Sequence, residues 1–222
     1  MRDGRPHVAL KLAISADGKV GAAGRKPVAI TGPEARDRVH LMRAQSDAVM
    51  IGIGTALADD PMLTCRLPGM AASSPVRIVL DSGLRLPLGS RLVRSAREVP
   101  LWVVAEVQAS RSAEDALTGE GVTVLRAPHA HGRFDLAAGL KLIAARGITR
   151  LMVEGGPVLA AALLAADLID EAVLFHSPTV VGAAGVDAIE GMPLAALTES
   201  PRFKCVASES VGADTRVVLE RR

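Results

Sequence analysis

Short apolar runs recur along the whole chain, and their spacing constrains the fold more than any other feature. The runs are almost continuously apolar instead of alternating with polar residues, which is typical of strands buried on both faces of a sheet. They cover residues 8–14, 48–51, 76–80, 101–105, 122–125, 151–153 and 172–175. Helical patterns lie between several of them, at residues 33–45, 136–146 and 157–166. This alternation predicts an α/β fold with a mostly parallel central sheet flanked by helices.

The end of the chain has a different pattern. Two strand-like segments, 202–209 and 215–220, flank the turn Val211-Gly212-Ala213-Asp214, which predicts an antiparallel C-terminal hairpin. The Pro-, Gly- and Ser-rich stretch 67–75 suits a surface loop, and no low-complexity linker or internal repeat divides the chain. Because domains commonly have roughly 100–200 residues, we expect residues 1–222 to form a single domain.

Composition argues against several classes of protein. Hydrophobic residues make up 49% of the chain and charged residues 23%, which fits a soluble protein with a sizeable core. A formal net charge of +2, an aromatic content of 2% and the absence of Tyr argue against nucleic-acid binding. The longest apolar stretch, 158–166, is too short to span a bilayer, and no signal peptide is visible. We therefore expect a cytoplasmic protein without a membrane partner.

The cysteines and histidines do not form a metal-binding pattern. Cys65 and Cys205 make neither a disulfide framework nor a zinc motif. His129 and His131 fall in a loop flanked by Pro and Gly and are expected on the surface, and His176 is expected to end a strand. No metal site is expected.

The turn at residues 153–157 is the first candidate ligand site. A strand ends at Val153, Glu154 follows, and Gly155-Gly156-Pro157 opens an apolar helix. Proline suits the first helical turn, and the free amides of a helix start beside glycines suit a phosphate. An ordinary tight strand–helix turn would have the same sequence. A complete Rossmann fingerprint is missing, since Leu57 stands where its third small residue belongs, and no P-loop lysine follows a glycine run.

Basic residues follow one face of the helix predicted at 33–45. Arg36, His40 and Arg43 are spaced by four and three residues, while Val39 and Met42 fall on another face, towards the core. The basic face is either a solvated surface or, near the end of a strand, a bidentate clamp for a phosphate.

Two adjacent acids lie shortly after the buried run 48–51. Asp60 precedes Pro61, which favours an extended conformation for Asp60 and marks it as the residue that ends a short helix. Asp59 is four residues after Thr55, so both side chains are expected on one side of that helix, beyond the strand end where α/β sheets bind ligands. The acids also fit a simple cap and turn.

Several segments resemble, in order, those of the riboflavin-biosynthesis pyrimidine reductases. They are LKLAISADGKVG, ITGPEARDRVHLMRAQSDA, GTALADDPMLTCR, RIVLDSGLRLP, LMVEGGPVLAAALL and the terminal hairpin. The likeness is to the C-terminal reductase half of the bifunctional deaminase–reductase, and it covers essentially the whole chain. The combination of LADDP-x-L-T-x-R with VEGGP is specific. The resemblance implies a dihydrofolate-reductase-like fold, a homodimer, and the NADPH-dependent reduction of 5-amino-6-(5-phosphoribosylamino)uracil to 5-amino-6-(5-phosphoribitylamino)uracil.

The resemblance also assigns site residues position by position. Opening of the sugar ring needs proton movement, and Asp59 or Glu154 is the acid best placed to help; we expect Asp59 to contact the sugar and handle the proton, and Glu154 to orient the uracil or sugar. The substrate side would comprise Lys11, Arg43, Leu63, Arg66 and Glu154. The cofactor side would comprise Ala13, Thr55, Asp59, Ser82, Gly155, Gly156, Pro157, Val158, Leu159, Ala160, Ala161 and Ala162.

A basic residue near the cofactor side suggests which dinucleotide is used. Ser82 follows the strand at 76–80, and Arg85 lies three residues further on. The pair suits the 2′-phosphate of NADPH, so NADPH should be preferred over NADH. A simple turn at residues 81–83 is the alternative.

The chain departs from the family pattern in two places. Many relatives carry Ser-x-Trp where this chain has Pro27-Val28-Ala29, so a hydroxyl and an aromatic wall are missing. The zinc-deaminase signature, H-x-E with a later P-C-x-x-C, is absent, and neither deaminase activity nor bound zinc is expected. Two alternatives stay open: a reductase of the same fold acting on a pterin or another heterocycle, and a non-catalytic ligand-binding or regulatory protein.

Overall fold

A central sheet with helices on both faces organises the residues that this computed structural model describes, 3–130 and 133–222. The strands are β1 (His7–Ile14), β2 (Lys19–Gly21), β3 (Ala48–Gly52), β4 (Val76–Leu80), β5 (Leu101–Glu106), β6 (Thr123–Ala127), β7 (His129–Ala130), β8 (Arg133–Phe134), β9 (Arg150–Val153), β10 (Glu171–His176), β11 (Val186–Asp187), β12 (Phe203–Val211) and β13 (Asp214–Arg221). The α-helices are α1 (Pro33–Ala44), α2 (Ile53–Asp59), α3 (Arg91–Arg94), α4 (Arg111–Gly119), α5 (Leu136–Ala144), α6 (Pro157–Ala165) and α7 (Ala195–Thr198).

The main sheet has nine strands in the order β12-β13-β10-β1-β9-β3-β4-β5-β6. The strands from β10 to β6 pair in parallel, while β13 runs antiparallel to both β10 and β12. Two short antiparallel pairs, β2 with β11 and β7 with β8, lie outside the main sheet. The predicted α/β architecture, its mostly parallel sheet and its antiparallel C-terminal hairpin are confirmed.

The boundaries of the predicted elements agree with the structure to within two residues, but helices α3, α4 and α7 and the short strands β2, β7, β8 and β11 were missed. Helix α4 has the polar sequence RSAEDALTG and buries only Leu117, so it has too few apolar residues to mark a core face in the sequence. Its start is stabilised by Ser110, whose hydroxyl accepts a hydrogen bond from the Ala113 amide at 3.3 Å. His176 ends β10, as predicted; His129 lies in the short strand β7, and His131 lies outside the described residues.

Apolar side chains fill both sides of the sheet. Met50 of β3 packs in the cluster formed with α5 and α6, whereas Val49 and Ile51 pack with α2, α3 and α4. Successive side chains of a strand point to opposite faces, so these clusters lie on opposite sides. Val39 of α1 belongs to a hydrophobic cluster with Phe175 of β10, and Met42 packs against it, which confirms the predicted core face of that helix. No helix in the described part of the chain is both long enough and apolar enough to cross a membrane.

The connections after β3 and β9 are short, and this positions the site. Helix α2 begins at Ile53, directly after β3 ends at Gly52, and three residues separate β9 from α6. Because β1, β9, β3 and β4 are adjacent and parallel, their carboxyl ends meet at one edge of the sheet. Ligands of open α/β sheets bind at that edge.

Candidate active site

A cavity of about 660 Å³ lies across the carboxyl ends of β1, β9, β3 and β4. Its wall is formed by the end of β1, the turn between β9 and α6, one side of α2, and the turn after β4. The loop at 25–28 and the start of α5 complete the rim. Cavities of roughly 300–1,000 Å³ are usual for small-molecule and cofactor sites.

The turn between β9 and α6 is built on two glycines that packing requires. The Gly156 amide donates a hydrogen bond to Thr55 Oγ1 at 3.1 Å, and a Cβ on Gly156 would stand 2.8 Å from that oxygen. A Cβ on Gly155 would stand 2.9 Å from Cδ2 of Leu159. The Gly156 amide is therefore occupied, while the amides of Val158 and Leu159, in the first turn of α6, have no hydrogen-bond partner among the described residues. Such amides suit an anion.

Helix α2 carries Thr55 and Asp59 on the side that faces the cavity. The Thr55 hydroxyl is committed to the glycine turn, so this residue ties α2 to α6 across adjacent strands. The Asp59 carboxylate has neither a hydrogen bond nor an ion pair with any other described residue. The surrounding atoms restrict its hydration although part of the side chain is exposed, and this burial raises the pKa of Asp59.

The conformation of Asp60 differs from the extended one predicted from Pro61. Asp60 lies in the left-handed region, at φ 38° and ψ 56°, and its amide donates to Ala56 O at 3.1 Å, which ends α2. Its carboxylate accepts a hydrogen bond of 2.8 Å from the Arg91 amide. Aspartate tolerates this region better than most residues, and two hydrogen bonds outweigh the proline's preference. Asp60 therefore ends the helix, as predicted, by another geometry.

Glu154 and Arg43 form a bidentate ion pair beside the cavity. Arg43 Nε donates to Glu154 Oε1 at 2.5 Å and Nη2 donates to Oε2 at 2.9 Å, with only 11% and 12% of the two side chains exposed. Burial alone would raise the pKa of Glu154, but Arg43, with a smaller contribution from Lys11, lowers it below its ordinary value. Glu154 lines the cavity as an ionised, oriented carboxylate. Arg43 contacts Glu154 but is not itself part of the cavity wall.

Lys11 approaches the same carboxylate from β1. Its Nζ lies 5.9 Å from the centre of the Phe175 ring, and it makes no hydrogen bond or ion pair with another described residue. Burial lowers the pKa of Lys11 and nearby Arg43 lowers it further, while Glu154 opposes both. The cavity thus brings together an oriented carboxylate, an amine with a depressed pKa and the unpaired carboxylate of Asp59.

The turn after β4 supplies another polar part of the wall. Asp81 is fully buried, and its Oδ2 accepts a hydrogen bond of 2.8 Å from the Leu86 amide. Its Oδ1 lies 3.5 Å from Nε of Arg85, whose side chain is 61% exposed. Ser82 and Arg85 both line the cavity, next to Asp81.

Most residues expected from the resemblance lie in the cavity wall, and some do not. Those in the wall are Lys11, Ala13, Thr55, Asp59, Ser82, Arg85, Glu154, Gly155, Gly156, Pro157, Val158, Leu159 and Ala162. Outside it, Leu63 and Ala160 are buried in the hydrophobic core, Ala161 packs against the core, and Arg66 is exposed. Their expected roles stay predictions.

Sequence reasoning missed several residues of the wall. Arg25, Lys26 and Val28 belong to the loop around Pro27-Val28-Ala29, where the resemblance implies a departure from the family pattern, and Asp81 is predicted only as part of the turn at 81–83. The departure at residues 27–29 was the available signal for that loop. Phe134 and Val186 come from distant parts of the chain and carry no local signal. Among the described residues, no cluster of three or more His, Cys, Asp or Glu could hold a metal ion.

The mostly parallel sheet with an antiparallel C-terminal hairpin is a dihydrofolate-reductase-like fold. The dihydrofolate reductase of Enterococcus faecalis shares this fold with a TM-score of 0.51 and 16% identity, over 97% of this chain and 96% of that one. The sequence model of the RibD C-terminal domain family matches residues 6–217, and the chain belongs to that family.

Relatives in the family are of two kinds. The riboflavin biosynthesis protein RibD of Escherichia coli is 35% identical over 96% of this chain, which spans 59% of that protein's length. The 2,5-diamino-6-ribosylamino-4(3H)-pyrimidinone 5′-phosphate reductase of Methanothermobacter thermautotrophicus is 34% identical over 95% of both chains. The solved structure of Acinetobacter baumannii RibD has a TM-score of 0.82 and 29% identity, over 100% of this chain and 59% of that one.

Proposed function

We propose that the chain reduces the ribosyl group of a phosphoribosylaminopyrimidine with NADPH, in riboflavin biosynthesis. The substrate is 5-amino-6-(5-phosphoribosylamino)uracil and the product is 5-amino-6-(5-phosphoribitylamino)uracil. The observation that carries this proposal is one cavity that combines the unpaired Asp59, the oriented Glu154 and the free amides of α6, in a chain of the RibD C-terminal domain family. The relative named as a reductase has nearly the same length, which supports reduction within these 222 residues as one domain.

A nicotinamide dinucleotide fits the residues present. The Val158 and Leu159 amides would receive the pyrophosphate, and the apolar side chains of Val28 and Val158 would flank the rings. When bound, the cofactor supplies the hydride. Ser82 and the largely exposed Arg85 would hold the 2′-phosphate, which supports NADPH over NADH.

The two acids have different environments, and this supports different roles. Reduction at C1 of the ribosylamine requires ring opening, with a proton delivered to the ring oxygen. Asp59 has no ion-pair partner and a raised pKa, so it holds a proton more readily than an ordinary carboxyl. Glu154 is held ionised by Arg43, so we assign it the orientation of the substrate and not the proton transfer. Lys11, with its lowered pKa, lies beside the same group and would contact the sugar.

The substrate phosphate needs cations, and the resemblance assigns it to Arg66 with Arg43. Arg43 is committed to Glu154, and Arg66 is exposed beyond the cavity wall. Lys26 lies in the wall without an ion-pair partner among the described residues and is the competing candidate. We retain Arg66 as the proposed phosphate ligand. The homodimeric state and the cytoplasmic location are likewise proposed from the resemblance alone.

The test is NADPH oxidation by the purified chain with three substrates. These are 5-amino-6-(5-phosphoribosylamino)uracil, its 2,5-diaminopyrimidinone counterpart, and dihydrofolate as a pterin. Turnover with the uracil compound at the highest kcat/KM is expected. A preference for the diamino compound would move the proposal to the reaction named for the shorter relatives. Turnover of dihydrofolate alone, or of none of the three, would overturn it.

A further inference from the structure

A chain of polar contacts runs from the cavity wall to the backbone of Arg66. Arg43, already paired with Glu154, also donates from Nη1 to the Thr64 carbonyl at 3.0 Å. His40, one turn earlier on α1, places Nδ1 at 3.2 Å from that carbonyl and 3.5 Å from Arg43 Nη1. The Arg66 amide lies 3.3 Å from the same ring nitrogen. One acceptor and two donors therefore converge on His40 Nδ1.

A single imidazole nitrogen cannot serve all three neighbours. Without a proton, Nδ1 has one lone pair and accepts from the Arg66 amide; with a proton, it donates to the Thr64 carbonyl and opposes that amide. The Thr64 carbonyl does not need His40, because it already accepts from Arg43. The Arg66 amide has no other acceptor among the described residues. An unprotonated Nδ1 is therefore favoured, because the Arg66 amide needs an acceptor and the Thr64 carbonyl needs no further donor.

We propose that neutral His40, with its proton on Nε2, is a positioning residue that holds the Arg66 backbone beside the Arg43–Glu154 pair. Leu63 and Cys65 are only 3% and 2% exposed, so the segment before Arg66 is anchored in the core. The contact with His40 fixes the last step of this segment, which is the peptide unit that joins the buried Cys65 to the exposed Arg66. The value of this step to catalysis rests on the proposed function, but the contact itself does not.

The charges around His40 keep the ring neutral. Burial lowers the pKa of His40 below its ordinary value of 6.5, and Arg43 and Arg66 lower it further, while the Thr64 carbonyl and Glu154 oppose this. Cys65 is the other titratable side chain of the facing segment and lies close to Arg43. Acidification below the lowered pKa would turn Nδ1 from acceptor into donor and release the Arg66 amide. The substrate KM should therefore rise at acidic pH.

Two variants separate the positioning role of the His40 ring nitrogen from the packing of its side chain. His40→Asn places an oxygen acceptor one bond from Cγ, where Nδ1 stands, and cannot be protonated in this range. His40→Leu has a similar size and no acceptor. We expect the Leu variant to raise KM for the phosphorylated substrate by about three- to tenfold, with kcat within about twofold of the parent. The Asn variant should restore KM. Below the lowered pKa of His40 the parent's KM should rise more steeply than that of the Asn variant. Both share the titration of the substrate phosphate, so the difference between them reports His40.

A second measurement needs no substrate. Imidazole 15N chemical shifts of the ligand-free protein, assigned through the signal lost in His40→Asn, should show an unprotonated Nδ1, a protonated Nε2 and titration below the ordinary range. An Nδ1-protonated neutral ring, or identical pH dependence of KM in the parent and the Asn variant, would overturn the proposal, as would an unchanged KM in a folded Leu variant. If the parent fails to turn over while the 15N result holds, the proposed function fails and the positioning contact stands.

Discussion

Replacing Asp59 by Asn tests the proposed proton carrier with the smallest change in shape. The variant keeps the side chain's volume and removes its acidity. General acid–base catalysis contributes about 10²–10⁴ in rate, which corresponds to ~2.7–5.4 kcal/mol of activation free energy. We therefore expect Asp59→Asn to lower kcat by at least about a hundredfold, measured as NADPH oxidation with saturating substrate.

The free energy of unfolding should not fall together with kcat, because the Asp59 side chain makes no hydrogen bond or ion pair with a described residue that the substitution would remove. A carboxyl whose pKa is raised in the folded state binds its proton more tightly there than in the unfolded chain. Stability therefore falls as pH rises through the interval above the ordinary value of 3.8, and the neutral Asn avoids this loss. At neutral pH the free energy of unfolding should be unchanged within roughly 0.5 kcal/mol, or slightly higher.

The neighbouring Asp60 provides the matched control. Asn tolerates the left-handed conformation and retains an oxygen for the Arg91 amide, so Asp60→Asn should spare both turnover and stability. If Asp59→Asn turns over like the parent, the proton must come from Glu154 or from water. If both variants lose activity equally, the loss reflects the local structure of α2 and not proton transfer.

Three further substitutions test the other charged groups. Arg85→Ala should weaken binding of NADPH more than that of NADH, measured by titration; equal losses would remove Arg85 from the 2′-phosphate site. Arg66→Ala should raise KM for the phosphorylated substrate about tenfold or more, since a hydrogen bond to a charged group contributes roughly 1.5–3 kcal/mol, and leave a dephosphorylated analogue unaffected. Arg43→Met strands the buried Glu154 carboxylate and should lower the free energy of unfolding by about 3–5 kcal/mol, while Arg38→Met, on an exposed position of the same helix, should cost under about 0.5 kcal/mol. The pKa of Glu154 is lowered in the parent, so its stabilising contribution is present above pH 4.5 and lost as pH falls through the lowered pKa; chemical denaturation of the Arg43 variant should lack that dependence.

Local patterns in the sequence predicted the strands of the main sheet, the helices α1, α2, α5 and α6, and the two motifs that line the cavity. The glycine turn before α6 and the spacing of Thr55 and Asp59 could be recognised because neighbouring residues carry each signal. The pairing of Arg43 with Glu154 could not, because the two are 111 positions apart and each is only a charged residue beside a strand end. That contact also affects the chemistry, since Arg43 lowers the pKa of Glu154 and so supports the different roles expected for Glu154 and Asp59. The left-handed Asp60 was missed because its Arg91 partner lies in a different part of the chain.

The central position of β1 has a consequence for the order in which the chain can fold during synthesis. Strand β1 precedes the other strands described for these 222 residues, yet its two neighbours in the sheet are the late strands β9 and β10. The Val8 amide donates to the carboxylate of Asp170, 162 positions later. On the ribosome, a nascent chain that has not yet produced β9 leaves both edges of β1 without their native partners. The apolar strand that carries Lys11 must therefore stay unpaired, or be shielded by chaperones, until β9 and β10 have emerged.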